Sequence, residues 1–515
     1  MKVYPTLIFL LFSQITAIYG QLQVQLSEPE NVNNPVNYPH FAYYPDGHIS
    51  VIPDDLEYIM FWAEFESHRS IGKSQFVEDQ ITLDPTNAVF GSRCNYNTYD
   101  NGGSWLMSVF REQGDELIGF FHAEDHWYPH TSNDIAWKSL GVTYSTDEGK
   151  TWSTGSQIIT SPTAKPATPT WGGSGDCCVV WDHINNRWMC YYQENWILMA
   201  ISTDPKGAPG TWKKYYNGAF TEDGLGGQHT KLPGLSSASG GNPSVHWNTY
   251  LDKWVMVWHG WSPPVIYISA SADGVNWETP QAIILRTIDP TNGKVWYPTI
   301  IGETDTEAGQ IAKIYFAEFA NSTRYFRTQT ITFIDPDNTS PASAQINLPI
   351  DGSTISTEWV EITASVNNVK AAIAKAEFYA DGVLIGSDNS FPYQFNWQPS
   401  EKGSFTINAI FTDTDGAIVE SGNVTIVFDY NVGFNNYEKR DFLIYPCPSS
   451  DHIVLDELPA GKKEIQIYNV NQQLVYQKLS GSNQVNVDIS EFAIGTYFLK
   501  IKADNSVLCK KFVRH

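Results

Sequence analysis

The sequence predicts an all-β protein: a five-bladed β-propeller followed by two small β-sandwich domains. Three observations carry this. An aromatic hairpin pattern recurs five times. The composition changes after Phe333 into short alternating strands separated by turn signals. No segment shows helical periodicity of useful length.

The chain has 515 residues, enough for two or three domains with real cores. Aromatic residues make up 14%, with 18 Trp, and charged residues only 17%, which excludes a disordered chain. The net charge of -24 repels nucleic acid and anionic membranes, so neither is expected as a partner. Met1-Lys2, the apolar run Leu7–Phe12 and small residues near Ala17 and Gly20 read as a signal peptide over residues 1–20. That run is too short to span a bilayer and no later one is long enough, so an exported chain without a transmembrane segment is expected. Of the six cysteines, Cys94, Cys177, Cys178, Cys190, Cys447 and Cys509, none has paired zinc spacing. A bridge within the Cys177–Cys190 hairpin and buried free thiols are both open.

The five repeats, over residues 21–335, begin at Asp46, Ser104, Asp176, Asn242 and Trp296, and each ends in an aromatic strand such as Tyr58-Ile-Met-Phe-Trp-Ala-Glu64 or Lys253-Trp-Val-Met-Val-Trp-His259. Their spacing is roughly 60–70 residues, and each is expected to be a four-stranded blade. A second element follows three of them: Tyr144-Ser-Thr-Asp-Glu-Gly-Lys-Thr-Trp152, Ile201-Ser-Thr-Asp204 with Thr211-Trp212, and Ile268-Ser-Ala-Ser-Ala-Asp-Gly-Val-Asn-Trp277. Asp with Gly makes a tight turn between outer strands. The element resembles the Asp-box of sialidase-type propellers, and its Asp is structural.

Beyond the linker Asp335-Pro-Asp-Asn-Thr-Ser-Pro341, residues 342–430 suit a sandwich of about seven strands. The segment resembles the bacterial immunoglobulin-like modules of secreted glycan enzymes, here a spacer. Residues 441–515 contain Leu443-Ile-Tyr-Pro-Cys-Pro-Ser-Ser-Asp-His-Ile453, Ile467-Tyr-Asn-Val-Asn471, Gly495-Thr-Tyr-Phe-Leu-Lys-Ile501 and Lys510-Lys-Phe-Val513. In that order they resemble the C-terminal sorting domain of the type IX secretion system, with Cys447 where that family has Asn. The resemblance implies the type IX machinery as a partner, and release or attachment at the outer-membrane surface.

Innermost strands of a propeller begin around one end of a central channel, so side chains at those starts converge. This singles out Asp46 with His48, the Asn101–Trp105 region, Asp176, Asn242 with His246, and Trp296 with Tyr297. The ends of the second strands add Glu64, His122, Glu124 and His259. Glycoside cleavage needs two carboxyl groups across the scissile bond. Asp46 and Asp176 begin non-adjacent blades and could face each other, with Glu124 as a further catalytic candidate. Trp62, Trp105, Trp127, Trp171, Trp247, Trp261 and Trp296 are candidates to stack on sugar faces, two or three of them in earnest. His229, after Gly226-Gly227, and Arg324 complete the candidate substrate contacts. His122, His126 and His130 lie close together in a polar loop with Glu124 and Asp125, where zinc is conceivable but the spacing does not specify it. The carboxylates allow a structural calcium, and no other cofactor is expected.

The ring resembles the five-bladed glycosidase superfamily of arabinanases, β-xylosidases, invertases, levansucrases and neoagarobiose hydrolases. The resemblance implies that Asp46 is base or nucleophile and that Asp176 is an acid or tunes and orients. Asp176-Cys177 echoes the Glu-Cys pair of the invertase-like members. Arabinanase-like members begin a later blade with an acid Glu, and here Asn242 stands there. The resemblance then leaves the acid to Asp176, Glu124, Glu64 or a histidine such as His246 or His229. The leading reading is a secreted glycoside hydrolase acting on a plant or algal polysaccharide or its oligosaccharides. A uronic-acid lyase using His122, His246, Tyr297 and Arg324, and a non-catalytic glycan-binding protein, are the alternatives.

Overall fold

The computed structural model describes residues 22–54, 57–91, 98–127, 135–235, 239–284, 288–289, 292–430, 442–446, 449–469, 473–503 and 506–514. The signal-peptide reading, Cys94, His130, Cys447 and the Cys509 side chain lie outside them. Among the described residues the helical turns are two three-residue segments, Phe41–Tyr43 and Val77–Asp79, and the rest is strand and loop.

Five sheets, antiparallel but for two short parallel pairings, form the propeller. Their innermost strands are Ser50–Asp54, Gly103–Gln113, Gly175–Asp182, Gly240–Asn248 and Lys294–Ile301. The fifth blade is completed from the other end of the chain: Gln23–Leu26 pairs antiparallel with Thr323–Ile334 and supplies its outer strand.

The ring is closed by side chains as well as by this strand. Each inner strand offers one side-chain acceptor to a backbone N–H of the next. Ser50 Oγ accepts from Val109 N at 2.9 Å, and Ser108 Oγ from Val179 N at 2.9 Å. Cys178 Sγ accepts from Val245 N at 3.3 Å, Ser244 Oγ from Ile300 N at 3.4 Å, and Thr299 Oγ1 from Ile49 N at 3.1 Å. Inner strands of neighbouring blades diverge too far for a sheet ladder, so their amides would be unpaired without these acceptors.

Hydrophobic cores fill the five gaps between blades. Ile52 and Phe61 meet Leu106 and Phe121, and Phe120 meets Val179 and Trp188. Met189 and Tyr191 meet Val245 and Met256, Val255 and Val257 meet Ile300 and Ile314, and Ile301 and Tyr315 return to Val51 and Met60. Both faces of a blade are therefore buried, each large side chain contributing roughly 1.5–3 kcal/mol.

The three Asp-containing turns are structural, as their sequence suggests. Asp147 accepts from Thr151 N, Asp204 from Lys206 N and Ala208 N, and Asp273 from Val275 N and Asn276 N. Cys177, Cys178 and Cys190 are buried free thiols, which decides between the two readings of that hairpin.

The second module is a sandwich of a three-stranded sheet (Ser343–Leu348, Val360–Asn367, Tyr393–Trp397) and a six-stranded one that includes Ile373–Ala380 and Gly403–Asp413. Nine strands are present where about seven were expected; Thr354–Ile355 and Ile418–Glu420 are too short to leave a sequence signal. Gln310 exchanges two hydrogen bonds with the Val369 backbone, at 2.8 and 3.1 Å, and ties the module to the fifth blade. The C-terminal unit is a separate sandwich, with Leu443–Tyr445, His452–Asp456 and Val485–Asp488 in one sheet and four strands in the other.

Candidate active site at the start of the inner strands

Three inner strands carry, within their first four residues, one in the left-handed region: Asp176 at φ 40°, Asn242 at 51° and Tyr297 at 54°. Each sits beside a β-bulge, between Gly175 and Cys177, Gly241 and Ser244, and Trp296 and Thr299. One extra residue in the inner strand re-aims the side chain at its start. A non-glycine residue at positive φ is strained, and such strain concentrates at functional sites.

Two carboxylates from blades one and three are brought together there. Asp46 keeps 32% of its side chain exposed and lies 3.4 Å from Arg324 Nη1. Burial raises its pKa, opposed by Arg324 and a hydrogen bond from Tyr297 and assisted by repulsion from Asp176. Arg324 also donates to the Pro45 carbonyl, and its guanidinium lies over the rings of Tyr297 and Phe319 at 5.4 and 5.1 Å. Asp176 Oδ2 accepts from Gln193 Nε2 and stands 3.8 Å from Lys138 Nζ.

His122 links the second and third blades. Its Nδ1 accepts the Asp176 backbone N–H at 3.0 Å, so Nε2 carries the proton and faces Glu124 Oε1 at 3.4 Å. Glu124 Oε2 meets His126 Nε2 at 3.0 Å. Burial would raise the Glu124 pKa, but the two histidines draw it down to about 2. This carboxylate is an acceptor that holds His122 in place, an environment unsuited to the proton-donor role open to it in the sequence.

Asn242 and His259 form the fourth-blade wall. Asn242 is buried, and among the described residues neither its Nδ2 nor either ring nitrogen of His259 has a hydrogen-bond partner. Burial holds His259 neutral down to about 3, with Asp176 and Lys138 acting on it in opposite senses. Its ring lies 4.4 Å from Trp261, 5.9 Å from Trp296 and 6.2 Å from Tyr297. Trp261 and Trp171 are exposed, at 44% and 55%. Trp171 leads into Gly172–Gly173, which pairs with Trp137 and Lys138.

Other candidates are placed elsewhere. Trp62 is fully buried, donates to Ser70 Oγ at 2.6 Å and packs with Phe41 and Tyr44, so it is core rather than a sugar platform. His246 is buried against Phe333 at the interface of blades four and five, its pKa pushed down to about 3 by burial alone. This removes it from the proton donors. Trp247 lies at the far end of its strand, stacked edge-on with Trp254. His48 faces down the channel, 3.0 Å from Asp305 Oδ2. His229 lies behind the third blade, 3.4 Å from Tyr192 OH. Glu64 is 1% exposed, accepts from Tyr38 OH at 3.2 Å and leaves Oε1 unpaired; burial raises its pKa, with Asp46 among the weaker contributors. Lys138 and Gln193 were not anticipated. Gln193 ends a second strand, as Glu124 and His259 do, and that position was its signal. No metal-binding group of three or more His, Cys, Asp or Glu occurs among the described residues.

Residues 443–515 match the secretion system C-terminal sorting domain and residues 343–409 the bacterial Ig domain. The chain thus carries a type IX sorting domain, which directs it to the cell surface or the extracellular space. No curated protein matches it. Among solved structures it is similar to Zg3597, a family 117 glycoside hydrolase of Zobellia galactanivorans, at 13% identity over 62% of this chain and 95% of that one, TM-score 0.39. A Bacteroides ovatus glycosyl hydrolase (12%, 62% and 96%, TM-score 0.38) and the catalytic domain of the Coprinopsis cinerea GH62 α-L-arabinofuranosidase (9%, 61% and 98%, TM-score 0.36) are also similar.

Proposed function

We propose that the propeller is a secreted glycoside hydrolase acting on a plant or algal polysaccharide or its oligosaccharides. The observation that carries the reading is the placement of Asp46 and Asp176, carboxylates from blades one and three, at the same end of the inner strands, each with a cation beside it, Arg324 at 3.4 Å and Lys138 at 3.8 Å. Asp46 is the base that activates water: it accepts from Tyr297 and Arg324, which stabilise its ionised form. Asp176, anchored by Gln193, tunes Asp46 through its charge, and as the glycosidic C–O bond breaks the leaving oxygen takes its proton from solvent, which reaches the partly exposed Asp46. Trp261 and Trp296 supply the apolar wall for a sugar face, and Asn242 and His259 offer unpaired polar atoms to its hydroxyls.

The lyase reading loses support because both nitrogens of His122 are engaged and His246 faces a blade interface. A glycan-binding protein without catalysis is the second reading, favoured by Asn242 at the start of the fourth blade, where its buried amide can bond a hydroxyl and cannot act as an acid.

The test is reducing-end release, with ultraviolet absorbance, on neutral and uronic glycans by the full chain and by Asp46→Asn. Release lost in the variant supports hydrolysis. Equal release removes Asp46 from the mechanism. Absorbing products indicate elimination, and tight binding of an intact glycan indicates the second reading.

A further inference from the structure

A cavity of about 420 Å³ opens at the opposite end of the inner strands from Asp46 and Asp176. Six residues of inner strand separate Asp176 from Asp182, about 20 Å at the usual rise, so the two sites cannot share one sugar ring. The cavity is walled by three blades and by Thr306 and Glu307 from the segment that follows the inner strand of the fifth. Trp181 and Trp188 come from the third, Trp247 and Trp254 from the fourth, and Phe110 from the second.

These aromatics are arranged in two edge-to-face pairs. Trp181 and Trp188 have centroids 4.8 Å apart, Trp247 and Trp254 5.2 Å. Trp188 uses its indole N–H on the Pro205 carbonyl at 3.0 Å. Among the described residues the indole N–H groups of Trp181, Trp247 and Trp254 have no hydrogen-bond partner, and none of the three is among the donors sealed from solvent. The charged groups of the wall are largely spent on each other: Arg111 lies 2.8 Å from Asp54, and Glu112 3.0 Å from Lys206. Glu307 stands exposed at the rim, its carboxylate without a side-chain partner among the described residues.

Flat apolar faces, indole N–H donors, the His183 imidazole and the Glu307 carboxylate fit a neutral, hydroxyl-rich ring. We infer that this cavity is a second carbohydrate-binding site, taking a neutral pyranose unit of an oligosaccharide, with Trp181 and Trp247 as its platforms and Glu307 accepting from a hydroxyl. It cleaves nothing; it holds glycan on the face of the propeller away from the carboxylates, and stands whether or not Asp46 is catalytic.

The experiment is calorimetric titration of the full chain carrying Asp46→Asn with cellohexaose, xylohexaose, mannohexaose and neoagarohexaose. Trp247→Ala removes a platform. Thr306→Arg fills the cavity and leaves all four indoles in place, so a folding defect in the first variant cannot imitate the result. The expected outcome is binding of at least one hexasaccharide that weakens about tenfold or more in both variants, with the unfolding midpoint of Thr306→Arg unchanged. The inference is overturned if no hexasaccharide binds at millimolar concentration. It is equally overturned if binding is the same in all three chains, or is lost only on substitution of Trp296 in the Asp46 pocket.

Discussion

His48 Nε2 and Asp305 Oδ2 meet at 3.0 Å across the seam between the first and fifth blades, each side chain 2% exposed. Asp305 Oδ1 also accepts the Val51 amide at 2.8 Å, so one carboxylate joins the two ends of the ring. Removing one member of a buried pair strands the other. Asp305→Ala should lower stability by about 3–5 kcal/mol, read from denaturant unfolding of the full chain. Burial by itself would lower the His48 pKa; the Cys178 sulfur and the Asp305 carboxylate outweigh it, and the pKa is raised. The stabilisation is therefore complete below the ordinary histidine range and is lost as pH rises through the raised value. The wild-type midpoint should fall from neutral to alkaline pH more steeply than that of the variant.

Asp46→Asn should reduce turnover about 10²–10⁴-fold on any glycan the wild type cleaves, with binding retained. Because the Asp46 pKa is raised, the acid limb of kcat/KM should lie above the usual carboxylate range. Asp176→Asn removes the repulsion and should move that limb downward. An acid limb that stays put would break the link between the two residues.

Cys178 is the one thiol in a ring whose other four acceptors are hydroxyls. Cys178→Ser should therefore be tolerated within about 1 kcal/mol, while Cys178→Ala leaves the Val245 N–H without an acceptor and should cost about 1–3 kcal/mol. Urea midpoints of the two variants decide this, and equal costs would show that the contact contributes nothing.

Glu124→Gln takes the charge from the acceptor that holds His122 and His126. At neutral pH it should destabilise the chain by about 1–3 kcal/mol. With a folded pKa depressed to about 2, the wild-type advantage is present above the ordinary glutamate range and lost as pH falls toward that value. The difference between the two melting curves should close over that interval.

The five aromatic hairpins were legible because each blade repeats one alternation of polar starts and apolar strands, and the converging starts Asp46, Asp176, Asn242 and Tyr297 followed from the repeat. His246 was misplaced for a definite reason. Counting in twos from Asn242 puts His246 on the pocket side, but the bulge between Gly241 and Ser244 adds a residue and reverses the parity beyond it. Trp62 and Trp247 were ambiguous because a blade buries both faces, so aromatic content does not tell pocket from packing. The strand Gln23–Leu26 is too short to announce its partner 300 residues away, and Lys138 lies in a third strand, where the repeat gave no reason to look.

That first strand has a consequence for how the chain comes to be folded. Its partners, Ile331 to Ile334, are among the last propeller residues to be made, so the fifth blade stays incomplete until more than three hundred residues are present. Contacts this distant in sequence form slowly. A chain therefore remains open at its seam for as long as its two ends are kept apart, and the ring locks only when Gln23–Leu26 finds that last strand.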